Sequence, residues 1–242
     1  VLYESMPYVA WCRTPVLIVC EGEKTEPLYL DEIRRAFRLA TAHVHVWPSA
    51  DGTEPLQVVD YAERLFLDGD RAKAIDRRGF DRVIAVFDRD DHATYHPALA
   101  KVRALHLAHE NDDGEQVPFQ AIASVPCFEL WLLLHFEDVM APVHRNEVYA
   151  RLRIHLPGYD KGQGGHFAAT RHRLDAATAR AAAMGLIGIG PEAKDAVPAL
   201  IKALGSEDWS VRRDAIWALA RIGPEAEAAV PALLELVTKD WP

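Results

Sequence analysis

The sequence has little cysteine, no long hydrophobic run and no overall excess of positive charge. Its three cysteines, Cys12, Cys20 and Cys127, show no Cys-x-x-Cys spacing, which argues against a zinc ribbon or a disulfide framework. No apolar run approaches the roughly 18 residues of a membrane-spanning helix, and no secretory signal pattern opens the chain. We therefore expect buried free thiols, no membrane association and a reducing, cytoplasmic setting.

The formal net charge of the 242 residues is −9, but the charge is unevenly distributed. Residues 1–140 carry 14 basic and 24 acidic groups, residues 141–184 carry 7 and 3, and residues 185–242 carry 6 and 9. The negative net charge argues against a protein that binds along nucleic acid without regard to sequence. A polyanion would meet the middle segment first, although its basic residues fit a solvated helix face equally well: Arg145, Arg151, Arg153, Lys161, Arg171, Arg173 and Arg180.

Short β-rich runs alternate with longer helical patterns over the first part of the chain. The runs are VLIVC (16–20), HVHVW (43–47), RVIAVF (82–87) and FQAIA (119–123), and helix-like segments cover 27–40, 55–67 and 97–110. This order predicts parallel βαβ units, and the continuous apolar strands indicate helices on both faces of the sheet. The prediction is a doubly wound, mainly parallel α/β domain of Rossmann-like type. A buried helix (126–136), a basic surface loop (156–167) and a further helix (169–184) are expected to follow it.

The end of the chain contains an internal repeat. GIGPEAKDAVPALIKAL (188–204) recurs as RIGPEAEAAVPALLELV (221–237), a period of 33 residues that predicts stacked helical units. A degenerate copy at 178–190 indicates that the array begins inside the helix that closes the first domain. The units resemble HEAT-like repeats, and we expect Trp209 and Trp217 to pack in their core or between repeats. Because about three units are needed to bury a continuous core, we expect a continuation of the natural protein or a partner on the exposed helix face.

Two acidic clusters follow neighbouring strands of the predicted sheet. EGEKTE (21–26) comes after the first strand and DRDD (88–91) after RVIAVF. Ligands of open α/β sheets bind beyond the carboxyl ends of the strands, so both clusters should face one crevice. Gathered carboxylates repel one another unless a cation lies between them, and hard oxygen ligands select Mg²⁺ or Mn²⁺. Asp88 and Asp90 can point the same way, and Gly22 lets a phosphate approach the backbone. The sequence therefore predicts a site that holds a metal ion against a phosphate.

A glutamate after one strand and Asp-x-Asp after a later one is the pattern of the TOPRIM fold, which topoisomerases, bacterial primases and OLD-type nucleases share. The strings VLIVCEGEKTEPLY, VIAVFDRDDH, SVPCFELWLLLHF and LPGYDKG together resemble the RloB family of TOPRIM-related proteins over residues 14–184. The resemblance implies that Glu21 is the TOPRIM glutamate and that Asp88 and Asp90 are the metal pair. One departure is Val125, where the family commonly has Asn, and it weakens a polar role for that loop.

The resemblance also implies an activity, a metal-dependent phosphodiester cleavage in bacterial defence against phage, since RloB-like proteins are similar to effectors of abortive-infection systems. A metal ion would polarise a phosphoryl oxygen, and Glu21 would act as general base or complete the coordination. Glu129 falls in the family's Phe-Glu-Leu-Trp motif and Lys161 in its Gly-Tyr-x-Lys motif. These two residues join the catalytic candidates, and the cations expected near the developing charge are Lys24, Arg89 and Lys161.

Several of these acids and histidines also have plainer structural interpretations. Glu23 and Glu26 fit the first turn of a helix, where acids are favourable, and we interpret both as structural. Glu129 is either catalytic or a buried acid that hydrogen-bonds the loop at 124–126. Loop histidines are more often solvated than catalytic, but among the 11 histidines two are best placed for catalysis, His92 and His96.

The leading hypothesis is a Mg²⁺-dependent TOPRIM endonuclease that acts on DNA or RNA, including transfer RNA. We predict an N-terminal extension (1–13), an RloB-like TOPRIM domain (14–184) and HEAT-like repeats (185–242) that bind a protein partner, such as an ATPase sensor. The alternative is a non-catalytic module that binds metal with a nucleotide or RNA and scaffolds a defence complex. A primase-like nucleotidyl transferase is less supported, because the sequence shows no phosphate-binding glycine loop.

Overall fold

A computed structural model describes residues 15–39, 44–89, 92–139, 143–189, 194–207 and 209–239. Within these residues one sheet has the strand order β2-β1-β3-β4, and each neighbouring pair is parallel. The strands are β1 (Val16–Cys20), β2 (Val44–Pro48), β3 (Arg82–Asp88) and β4 (Phe119–Ser124). Each lies within one residue of a predicted run, so the parallel α/β architecture is confirmed. The predicted N-terminal extension, residues 1–13, lies outside the described residues.

Helices follow the strands and continue to the end of the described chain. The first three are α1 (Thr25–Ala36), α2 (Pro55–Asp68) and α3 (Tyr95–Leu105), and short 3-10 helices lie at Arg71–Lys73, Arg171–Arg173 and Gly223–Ala229. The later helices are α4 (Glu129–Leu134), α5 (Arg145–His155), α6 (His166–Thr170), α7 (Leu174–Ile189), α8 (Val197–Ala203), α9 (Trp209–Ile222) and α10 (Val230–Lys239). In the described part of the chain, no helix has the length and apolar character that a membrane crossing requires.

The helices predicted at 27–40 and 97–110 end early, at Ala36 and Leu105, and two others are shorter or more broken than the sequence pattern indicated. Of the helix predicted at 126–136, only α4 is α-helical. Hydrogen bonds between residues three apart, as in a 3-10 turn, lie at both of its ends: the Leu130 N–H donates to the Cys127 carbonyl, and the Phe136 N–H donates to the Leu133 carbonyl. The helix predicted at 169–184 is divided by the 3-10 turn at Arg171–Arg173 into α6 and α7. The apolar pattern alone did not reveal either change of helical geometry.

The sheet is buried beneath α2 and α3. Leu17 and Val19 of β1 share one face with Val83, Ala85 and Phe87 of β3, since side chains two apart along a strand point the same way. From the helices, the same apolar cluster contains Val58, Val59, Ala62, Leu65, Phe66, Ala98 and Val102. This packing fixes β1 beside β3, and it therefore sets which residues meet at the carboxyl ends of these two strands.

The chain divides into two compact units. The first contains the described residues up to Leu130 together with Leu156–Ala169, and the second contains Trp131–His155 and the described residues from Thr170 onward. In the second unit α7 and α8 each pack against α9. The domain boundaries predicted after residues 13 and 184 stay predictions.

The repeat segment has its own apolar core, and the two tryptophans of α9 lie outside it. The buried stripe of this helix consists of Ala215, Ala218, Leu219 and Ile222. This spacing of three and four residues leaves Trp217 on another side of the helix. Trp209 and Trp217 are 51% and 52% exposed. The expectation that they pack in the core was therefore wrong.

Candidate active site

Glu21 and Asp88 lie side by side at the carboxyl ends of β1 and β3. Cys20 pairs with Val86, so the residue after β1 comes level with the end of β3. The Glu21 N–H donates to the Val86 carbonyl at 2.8 Å, and Glu21 Oε2 accepts a hydrogen bond from the Asp88 N–H at 2.8 Å. Asp88 is itself buried. The structure thus brings together two of the three predicted metal-binding acids.

The third predicted acid, Asp90, lies outside the described residues, as does Asp91. Among the residues that are described, no three carboxyl, imidazole or thiol groups are placed to hold one metal ion. Glu21 and Asp88 are nevertheless hard oxygen donors. Proteins commonly hold Mg²⁺ with one or two carboxylates, while water and substrate phosphate complete the coordination. The donor chemistry of this pair therefore fits Mg²⁺ or Mn²⁺.

His92 connects Glu21 to two residues that the sequence analysis missed, Glu54 and Thr94. His92 Nε2 lies 3.5 Å from Glu21 Oε1, and its Nδ1 lies 3.0 Å from Glu54 Oε1. The Thr94 hydroxyl donates to Glu54 Oε2 at 2.6 Å. Hydrogen bonds from Thr94 and His92 lower the pKa of the Glu54 carboxyl. His96, in contrast, is exposed on α3 with its ring against Tyr95.

Glu129 is completely buried at the start of α4, and it joins two motifs of the sequence. The Tyr159 hydroxyl donates to Glu129 Oε1 at 2.9 Å, and Lys161 Nζ lies 3.2 Å from the same oxygen. The Phe-Glu-Leu-Trp and Gly-Tyr-x-Lys motifs therefore meet at one carboxylate. Tyr159 is the tyrosine of the Gly-Tyr-x-Lys motif, so this motif was a sequence signal for Tyr159 as well as for Lys161.

Glu26 belongs to the same cluster of acids, and its interpretation as a helix-start residue was incomplete. It does lie in the first turn of α1, but it is only 9% exposed. Burial raises the pKa of the Glu26 carboxyl, and the nearby carboxylates of Glu129 and Glu21 raise it further. A Cβ atom at Gly22 would overlap Glu26 Oε2, so the missing side chain makes room for this carboxylate. A role of Gly22 toward phosphate stays a prediction.

The segment 156–167 lies against α1 and brings two of the predicted cations to the start of that helix. The Thr25 hydroxyl donates to the Lys161 carbonyl at 3.3 Å, and the Phe167 N–H donates to Glu32 Oε2 at 2.9 Å. Lys24 Nζ lies 3.8 Å from the position that a Cβ of Gly162 would take. Lys24 therefore reaches the same segment that carries Lys161.

The third predicted cation, Arg89, follows β3 directly. Its N–H donates to the Ser124 carbonyl of β4 at 2.8 Å. Arg89 is exposed, and the carbon of its guanidinium group lies 5.7 Å from the centre of the Tyr95 ring. The role of Arg89 toward a phosphate stays a prediction.

The predicted buried thiols are confirmed for Cys20 and Cys127, while Cys12 lies outside the described residues. Burial raises the pKa of the Cys127 thiol to about 12, and the carboxylates of Glu129 and Asp88 raise it as well. One thiol therefore lies within electrostatic reach of both acids.

Two models of known protein families match the sequence of this chain. A family model described as RloB-like protein matches residues 16–188, and one described as HEAT repeats matches residues 167–242. The overlap at 167–188 agrees with the prediction that the repeats begin inside the helix that closes the first domain. Neither a comparison with curated proteins nor one with solved structures gave a match. Because the first family match covers more than half of the chain, the protein belongs to the RloB-like family, with HEAT repeats at its carboxyl-terminal end.

Proposed function

We propose that the RloB-like part of the chain is a Mg²⁺- or Mn²⁺-dependent nuclease that cleaves phosphodiester bonds in DNA or RNA. The observation that carries the proposal is the hydrogen bond of 2.8 Å from the Asp88 N–H to Glu21 Oε2. It holds the Glu21 carboxylate beside the backbone of Asp88, at the carboxyl ends of adjacent parallel strands, where open α/β sheets bind their ligands. Family membership supports the same activity class by resemblance.

Glu21 and Asp88 would hold the metal ion, with Asp90 as the predicted third acid. When bound, the ion would supply Lewis-acid stabilisation of the phosphoryl and leaving oxygens. Both oxygens of Glu21 already have contacts, one with the Asp88 N–H and one with His92. This fixed orientation favours a ligand role for Glu21 over that of a mobile general base.

Lys24 and Lys161 would bind the substrate phosphate. Lys161 combines a side chain that is 46% exposed with an ion pair to the buried Glu129, so its ammonium group is held at the rim of the acid cluster. Positive charge fixed in advance stabilises developing negative charge without reorganisation during the reaction. Glu129 and Tyr159 would therefore act as supports for Lys161.

We also propose a biological setting for this activity. The RloB-like resemblance supports a role in defence against phage, and the HEAT repeats support binding of a protein partner, such as an ATPase sensor. Stacked helical repeats form extended surfaces that commonly bind other proteins.

The first experiment is a cleavage assay with end-labelled duplex DNA, single-stranded DNA and total transfer RNA, in Mg²⁺, Mn²⁺ or EDTA. Asp88→Asn is compared with Asp112→Asn, the same chemical change at an exposed turn. We expect metal-dependent products that Asp88→Asn reduces at least about 100-fold and Asp112→Asn leaves unchanged. Circular dichroism establishes that both variants are folded.

The assay also separates this proposal from its alternative. Metal-dependent binding of nucleic acid without any product would contradict the nuclease and support a non-catalytic binding module. Products that survive in EDTA, or in Asp88→Asn, would exclude the proposed metal site as their source.

A further inference from the structure

Glu54 has a local role in its own helix and a second role at a distance. It is the N-cap residue of α2 and forms a capping box with Gln57, whose Oε1 accepts a hydrogen bond from the Glu54 N–H at 3.2 Å. Its carboxylate also reaches the segment that follows β3. There Oε1 lies 3.0 Å from His92 Nδ1, and Oε2 accepts a hydrogen bond of 2.6 Å from the Thr94 hydroxyl. The distant contacts engage both carboxylate oxygens.

The other nitrogen of the same imidazole faces Glu21. His92 Nε2 lies 3.5 Å from Glu21 Oε1, while Glu21 Oε2 accepts the hydrogen bond from the Asp88 N–H. One rigid ring therefore stands between two carboxylates, and each carboxylate has a second contact on its far side. The Glu54, His92 and Glu21 side chains are 44%, 22% and 13% exposed, so the chain of contacts runs inward from the surface to the strand ends.

We propose that Glu54 and Thr94 are positioning residues of the candidate site. They fix the ring of His92, and this ring fixes the carboxylate of Glu21 against the Asp88 amide. Residues that contact a metal-binding side chain, without touching the metal themselves, set the orientation of that side chain. Their mutation commonly lowers metal affinity or activity. The consequence for cleavage rests on the proposed function, whereas the positioning itself can be measured without metal or substrate.

The Asp88 amide offers a direct measurement, because its hydrogen bond goes to the Glu21 side chain. Hydrogen exchange of this amide is followed by ¹⁵N NMR in EDTA. We expect Glu54→Ala and His92→Ala each to speed its exchange about fivefold, as for the loss of one hydrogen bond, and Thr94→Val to speed it less. The amide of Ala85, inside β3, should keep its rate in every variant because the sheet stays folded.

Two comparisons make this measurement decisive. Gln57→Ala removes the side chain that accepts the hydrogen bond of the Glu54 N–H but leaves the contacts of the Glu54 carboxylate with His92 and Thr94, so the Asp88 amide should exchange at the wild-type rate. If Glu54 acts through His92, the double variant should exchange no faster than His92→Ala alone. An Asp88 amide that is unaffected by Glu54→Ala, equally affected by Gln57→Ala, or affected additively in the double variant would overturn the inference.

The activity readout then tests the consequence. With Mg²⁺ and a cleaved substrate, we expect Glu54→Ala to lower kcat about tenfold with little change in KM, and Glu54→Gln to retain part of the activity. An unchanged kcat would contradict the positioning role in catalysis. A wild-type protein that cleaves nothing would instead contradict the proposed function, and amide exchange would still decide the positioning.

Discussion

The phenol of Tyr159 donates a hydrogen bond of 2.9 Å to Oε1 of Glu129, a carboxylate whose side chain is only 1% exposed. The two residues are 30 positions apart in the chain. Lys161 reaches the same oxygen from a side chain that is 46% exposed. The buried Glu129 carboxylate therefore contacts the neutral hydroxyl of Tyr159 inside the protein and the charged ammonium group of Lys161 near the protein surface. This arrangement ties the segment 156–167 to the start of α4.

Tyr159→Phe is expected to destabilise the protein, because it removes a hydrogen bond to a buried charged group. Bonds of this kind contribute about 1.5–3 kcal/mol. The measurement is the free energy of unfolding in urea. Tyr149→Phe is the matched control, since Tyr149 is half-buried and its hydroxyl lies 3.4 Å from Arg145 NH2. Equal losses in the two variants would contradict a special role for the buried pair.

Glu26→Gln is expected to stabilise the metal-free protein at neutral pH. The pKa of Glu26 is raised in the folded state, so the unfolded state ionises first as pH rises from the ordinary value of 4.5. Folding stability therefore falls as pH rises through the interval between the ordinary and the raised pKa. The variant lacks this loss, and its Tm in EDTA at pH 7 should be about 2–4 °C higher than that of wild type.

Well below pH 4.5 this advantage of Glu26→Gln should disappear, because Glu26 is then neutral in both states. Glu23→Gln is the control, since Glu23 is exposed in the same segment and should change Tm little at either pH. A constant difference between Glu26→Gln and wild type across the pH range would show that packing, rather than charge burial, is responsible.

Cys127 is expected to resist thiol reagents in the native protein. It has no exposed surface, and its pKa is raised to about 12, so almost no reactive thiolate forms at pH 8. Labelling with a maleimide, followed by peptide mass spectrometry, should find Cys127 modified only after unfolding in guanidinium. Rapid modification of the folded protein at this residue would mean that the core around the acid cluster opens readily.

The sequence predicted the sheet and its first two acids for a simple physical reason. The apolar runs of β1 and β3 require burial on both faces, and parallel pairing then brings the ends of the two strands together. Glu21 directly follows β1 and Asp88 is the last residue of β3, so local sequence was enough to place them. Asp90 was predicted by the same argument and lies outside the described residues.

The partners of the site depend on packing that no local pattern encodes. Glu54 meets His92 across 38 residues, and Glu129 meets Tyr159 across 30. One positional signal did exist for Glu54, because it follows β2, the strand beside β1. Glu26 was interpreted by the rule for helix starts, which describes its backbone correctly. That rule carries no information about the segments that bury its side chain.

In the second unit, Asp138 receives two arginines from different helices. Arg180 Nε of α7 lies 2.8 Å from Asp138 Oδ1, and Arg213 NH2 of α9 lies 2.5 Å from the same oxygen. Burial would raise the pKa of Asp138, but hydrogen bonds from Arg213 and Arg180 outweigh it, and the net shift is downward. The stabilisation is therefore present above the ordinary pKa and is lost as pH falls through the lowered one.

Asp138→Asn is expected to reduce the free energy of unfolding at pH 7 by about 1–3 kcal/mol, because two charge-assisted hydrogen bonds weaken at once. Asp175→Asn, at an exposed position at the start of α7, should change it little. If the arginines act through this carboxylate, Arg180→Ala should cost less in the Asp138→Asn background than in wild type. If the losses of unfolding free energy from Arg180→Ala and Asp138→Asn are fully additive, Arg180 instead stabilises the unit through its hydrogen bond of 2.8 Å to the Leu134 carbonyl.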